Sequence, residues 1–248
     1  MEHLNENLIP IIGLLKEKLI KVANLKKANN SPLKEFYTSI AHRTLFALDA
    51  GAILLAQMGR LPYMRYPYIQ IMRTVLMDLI IAERMTIKEE QGEVEVNKFL
   101  HKINTEHRNT IYRSKELLQN AFADDPDFQS FLKSQIQSVI DEYGDNLEKI
   151  KINTISLLTS FDELHLSRDR HGMKNVIELY DQYFWISKLV HFGELSMEYL
   201  LKLESKTGYD LLLRNLKLII ISSAGLLIHL GIKIEDDDEI FRLMDKLK

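Results

Sequence analysis

YPYIQIMRTVLMDLIIAERM, Tyr66 to Met85, decides the fold. From Ile69 to Ala82 it is apolar almost all round a helical wheel, the mark of a helix buried on most sides. Two charged residues interrupt it, Arg73 and Asp78. They lie about 140° apart on the wheel and cannot neutralise each other on one helix face. Each must take its partner from another helix, because an uncompensated buried charge costs on the order of several kcal/mol.

The rest of the chain repeats the helical pattern. Its 248 residues include only 10 Gly and 5 Pro, 46% are hydrophobic, and apolar positions recur at intervals of three and four. Alternating strand patterns are nearly absent. The expectation is all-α, a single helical bundle-type domain over residues 1–248 with eight or nine helices.

A first amphipathic helix is expected from about Leu8 to Lys27, and NNSPLKE then restarts the chain with Ser31 as N-cap and Pro32 at the first helical position. The second helix runs through FYTSIAHRTLFALDAGAILLAQMG, and the loop GRLPY leads into the third, which ends near Met85. Pro67 bends or delays that start. TIKEEQGEVE reads as a surface connection before a fourth helix, Glu93 to Ala123. Asp125 and Pro126 begin another, whose stripe ends near Gly144. Residues 145–173 are irregular, with LSRDRHG as a loop. An apolar helix follows from Tyr209 to about Leu230, and EDDDE, Glu235 to Glu239, precedes a short terminal helix whose N-terminus favours those carboxylates.

With no cysteine, the chain has no disulfide, thiolate metal site or iron–sulfur cluster. MEHLNENLIPIIGLLKEKLIK lacks the features of a secretory signal, which points to the cytoplasm. LIIISSAGLLIHLGI, Leu218 to Ile232, is shorter than the ~20 residues a bilayer needs, so a central buried helix is expected and no membrane contact. A net charge of −3 gives no bulk attraction to nucleic acid, and any RNA contact has to come from a local patch.

A second segment places polar groups in register. In YDQYFWISKLVH, Tyr180 to His191, the residues Tyr183, Ser187 and His191 fall within about 80° of the wheel, beside the apolar face. Buried, such groups require partners. They serve either as satisfied hydrogen-bonding residues between helices or, with His191 facing a pocket, as acid–base chemistry. This stripe is the best complement for Arg73 and Asp78, which predicts that the two helices pack together.

An apolar helix bearing Arg-x4-acid, RTVLMD, followed about a hundred residues later by Tyr-x3-Ser-x3-His, YFWISKLVH, resembles a family of bacterial helical proteins distantly similar to the HEPN superfamily (higher eukaryotes and prokaryotes nucleotide-binding). The resemblance covers Phe46 to Met85 and Met173 to Glu194. It implies a helical bundle, commonly a homodimer, and metal-independent ribonuclease chemistry or an effector derived from it, of a toxin or phage-defence type. Where the HEPN signature has His after its Arg, this chain has Asp78. Cleavage by 2′-hydroxyl attack needs a proton acceptor, a proton donor and a cation for the phosphorane. The roles so implied are His191 as acid–base group, Arg73 on the phosphate, Asp78 orienting one of them, and Tyr183 or Ser187 on the substrate. The alternative is a non-catalytic helical module that binds a partner protein or small ligand.

Other signals carry less. DELH, Asp162 to His165, has a di-iron spacing but no second such pair, so no metal or other cofactor is expected. No GxGxxG, GxxxxGK[ST] or GxSxG is present. The tyrosines of RLPYMRYPY, Arg60 to Tyr68, are expected to pack inward rather than stack nucleic acid, and the lysines at 16, 18, 21, 26 and 27 to form a solvated face.

Overall fold

A computed structural model describes residues 2–25, 31–58, 60–61, 64–143, 173–190 and 206–232, with positions 239 and 242. Among the described residues there are eight helices and no strand, as the periodicity requires. They are α1 (Glu2–Leu25), α2 (Pro32–Gln57), α3 (Arg65–Gln91), α4 (Glu93–Arg113), α5 (Lys115–Ala121), α6 (Pro126–Tyr143), α7 (Met173–Val190) and α8 (Lys206–His229). The chain forms two compact units, Met1–Arg84 with Asp162–Lys248, and Met85–Phe161.

In the first unit α2 begins where its cap predicts. Ser31 is extended, at φ −72° and ψ 151°, its hydroxyl accepts from the Lys34 N–H at 3.3 Å, and Pro32 supplies the first residue. Its inner face, including Ile40, Leu45, Leu48 and Leu55, packs on α1 and α8. Met72, Leu76 and Ile80 of α3 and Leu216, Ile219 and Leu227 of α8 are sealed from solvent. Tyr68, also fully buried, donates its hydroxyl proton to the Leu212 carbonyl at 2.7 Å, joining the start of α3 to α8. Of the tyrosines expected to pack inward, Tyr68 does so, Tyr66 is half-buried, and Tyr63 lies outside the described residues. Pro67 sits in the first turn of α3, where its missing N–H is an orphan in any case.

Helix α8 starts at Lys206, earlier than the apolar pattern suggested, so its length no longer argues against a membrane span. By length and composition α2 and the Leu212–His229 window of α8 could each cross a bilayer. Burial of 61% of the α8 window makes it the central core helix that was expected.

The expected surface connection TIKEEQGEVE is largely helical. Helix α3 continues to Gln91 because Glu, Lys and Gln are good helix formers and Ile87 and Lys88 stay buried. Only Gly92 breaks it, at φ 106°, with its N–H shared between the Lys88 and Glu89 carbonyls. The expected fourth helix is interrupted at Ser114, which separates α4 from α5. In this second unit α6 opens as predicted, the Asp125 carboxylate accepting from the Phe128 N–H at 2.9 Å. Helix α4 packs on α6, with Val96, Phe99, Leu132 and Val139 buried. The loop LSRDRHG, the pair in DELH and all of EDDDE except Glu239 lie outside the described residues.

Helices α2 and α3 approach closely at Gly51. A Cβ there would lie 2.5 Å from the terminal methyl of the fully buried Met72 and 3.7 Å from the Tyr68 ring. Gly51→Leu is therefore expected to destabilise the fold by about 1–3 kcal/mol, read as a lower denaturant midpoint at unchanged slope.

Candidate functional site

The Asp78 carboxyl is the most deeply buried acid of α3, at 3% exposure. It meets the guanidinium of Arg43, whose Nη2 donates to Oδ1 at 2.9 Å. Arg43 belongs to α2, so this pair bridges two neighbouring helices. The Arg43 side chain is 61% exposed, while that of Asp78 is 4%. Its neighbours Ala41, Thr44 and Leu45 are buried, so the long stem leaves the seam and carries the charge to the surface.

One of the five N–H donors of Arg43 is fixed by the carboxylate. A single N–H tether holds the guanidinium in place with donors still turned to water. One helical turn further on, Phe46 stands 65% exposed, and the His42 ring meets its edge at 6.3 Å between centroids. The Lys16 ammonium of α1 lies 5.5 Å from the centre of the Phe46 ring and pairs with Asp49. Lys16 thus leaves the solvated face expected of it. Arg43 and Lys16, each paired with a carboxylate, thus lie beside one open aromatic ring, with the His42 ring against it.

The sequence-derived site is only partly assembled. Asp78 is buried and partnered, as its position in an apolar helix required. Its partner, though, is Arg43 of α2, not a group of the later helix as expected. Arg73 is half-buried, and its Nε is shielded from solvent with no hydrogen bond among the described residues. Tyr183 and Ser187 are half-buried on α7. That helix packs on α8, helped by the Glu178–Arg214 pair at 3.7 Å, and it buries Leu179 and Ile186. Trp185 on the same helix is 48% exposed. His191 lies outside the described residues.

Arg43 was missed because an arginine 35 positions from its carboxylate leaves no local spacing to read. Only the apposition of α2 with α3 reveals the pair. The signal available in AHRTLF was the Arg43–Phe46 spacing itself, a cation and an aromatic ring one turn apart.

A second polar cluster joins three helices of this unit. The buried Tyr37 ring of α2 meets His229 of α8 edge-on at 4.7 Å, and the charge of His229 acts on Glu83 of α3. Burial raises the Glu83 pKa, and His229 opposes that rise. His229 also lies in the last turn of α8.

Burial is also the larger influence on Asp78. It pushes the carboxyl from 3.8 up to about 6, against the pull of the Arg43 charge. No protein-family model, curated protein or solved structure matches the chain.

The folded-state pKa of Asp78 lies above the unfolded value, so its protonation stabilises the fold. That contribution is complete below about 3.8 and is lost as pH rises through about 6. Relative to Asp78→Asn, the wild type should therefore lose up to about 3 kcal/mol between pH 4 and pH 7. Chemical denaturation of both proteins at several pH values checks this. A pH-independent difference would contradict it.

Proposed function

We propose that this protein is a cytoplasmic, RNA-directed effector of HEPN-like kind, working as a homodimer, whose RNA contact is the Arg43–Phe46 face of α2. The observation that carries the reading is the guanidinium of Arg43, mostly in water yet tethered to a buried carboxylate. Such a group is pre-oriented for phosphate, so little side-chain freedom is lost when the anion arrives. Phe46 adds a face on which a base can stack, and stacking beside a cation is the chemistry of single-stranded nucleic-acid binding. The chain's net charge of −3 makes such a local arrangement necessary.

In this reading Asp78 keeps the orienting role that the sequence suggested, but for Arg43. Arg73 remains a second phosphate contact, with Tyr183 and Ser187 toward the substrate and His191 as the acid–base group if the RNA is cut. Cleavage would then proceed by attack of the ribose 2′-oxygen on the adjacent phosphorus, loss of the 2′ proton to a base and departure of the 5′-oxygen with a proton from an acid. A specific observation also favours the second reading, a non-catalytic module: the Arg43–Asp78 pair clamps α2 to α3 and by itself fixes their register.

Fluorescence anisotropy with single-stranded RNA separates the two. The wild type should bind with an affinity that falls as salt rises. Arg43→Gln should weaken binding about tenfold, and Phe46→Ala by about 1–3 kcal/mol, the worth of one stacked base. Both variants should keep the helical circular dichroism of the wild type. RNA integrity on gels, with His191→Ala beside the wild type, reports whether binding leads to cleavage. Equal affinity of wild type and both variants, or no binding at low salt, would leave the clamp as the sole role of the pair.

A further inference from the structure

The second unit has an exposed aromatic surface of opposite electrostatic character. In KELLQNAFADDPDFQSFLK, Lys115 to Lys133, the short α5 buries no residue at all. Leu117 is 71% exposed, Phe122 43% and Phe131 48%. The rings are not scattered. Phe122 meets Phe128 at 4.3 Å between centroids, and Phe128 meets Phe131 at 6.1 Å, so three rings form one continuous row from the end of α5 along α6. A row of this kind left open to water marks an interaction surface.

The corner that carries it is held rigid. Asp125 caps α6 through the Phe128 N–H at 2.9 Å. The Gln129 side-chain amide donates to the Gln119 carbonyl at 3.1 Å and to the Phe122 carbonyl at 2.8 Å, tying the first turn of α6 back to α5. The row is thus formed before any partner arrives, which lowers the ordering cost of binding.

Charge selects the occupant. Between Lys115 and Lys133 there are four acids, Glu116, Asp124, Asp125 and Asp127, against those two lysines, a balance of −2. Lys115 is drawn away over the Tyr112 ring at 4.1 Å. Glu116, Asp124, Asp125 and Asp127 are all exposed. An acidic rim repels RNA phosphates and anionic lipid, and it repels the same surface of a second copy. It attracts an apolar segment flanked by lysine or arginine.

We propose that the α5–α6 corner is a docking surface for a basic amphipathic segment of a partner protein, its apolar side chains covering Phe122, Phe128 and Phe131 and its cations meeting the acidic rim. This site is independent of the RNA reading. The test uses the full chain and two labelled probes, an amphipathic helical peptide built of Leu and Lys and its Leu and Glu counterpart.

The Leu and Lys peptide should bind, more weakly as salt rises, and the Leu and Glu peptide should not. The double variant Phe122→Ala, Phe131→Ala should weaken binding about tenfold, and Asp124→Lys with Asp127→Lys should turn the preference toward the Leu and Glu peptide. Thermal unfolding matching the wild type shows that neither variant acts through the fold. Equal binding of both peptides, or affinity unmoved in the ring variant, overturns the proposal. So does a self-association in sedimentation that the ring variant abolishes, since the occupant would then be a second copy.

Discussion

A carboxylate inside a helical core is the constraint from which the first unit follows. Asp78 has a sealed side chain, and an ion there without a partner would cost on the order of several kcal/mol. Arg43 answers it from α2. Further along the same seam Gly51 admits Met72 and Tyr68. As the numbers rise along α2 they fall along α3, so these two points alone make the helices antiparallel and set their register. The apolar contacts between them would tolerate small slips, whereas a buried charge paired across the seam does not.

The same constraint creates the candidate site. A guanidinium that must reach inward to one carboxylate oxygen, from a stem that begins at the rim of the seam, ends with most of its side chain in water. Its position next to Phe46 then follows from helical spacing alone. Structure and chemistry therefore share one residue: the group that completes the core is the group that meets the solvent. Each unit carries one local cluster of charge beside exposed aromatic rings. The first has arginine and lysine around an open phenylalanine, the second has acids around a row of three, and a net charge of −3 conceals both.

The fold was largely legible in the sequence because its signals are local. Ser31 and Asp125 announced α2 and α6, and the surface of Ile69 to Ala82, apolar almost all round, announced a buried α3. Errors arose where polar composition was read as loop: Thr86 to Gln91 is helix because glutamate and lysine favour helix, and Gly92 alone interrupts it. For the site, the sequence located the need but not its answer. It showed that Asp78 had to be paired, yet an apolar wheel carries no address for a partner 35 residues away. Tyr183 and Ser187 are half-buried on a helix that buries Leu179 and Ile186, but the wheel could not say that this helix would pack on α8.

The most direct measurement is a carbon-13 titration of the Asp78 carboxyl in the wild type and in Arg43→Gln. The wild-type midpoint should fall near 6, and removal of the Arg43 charge should raise it further. A midpoint at the ordinary carboxylate value of about 3.9, unmoved by loss of Arg43, would mean that Asp78 is neither buried nor paired as described.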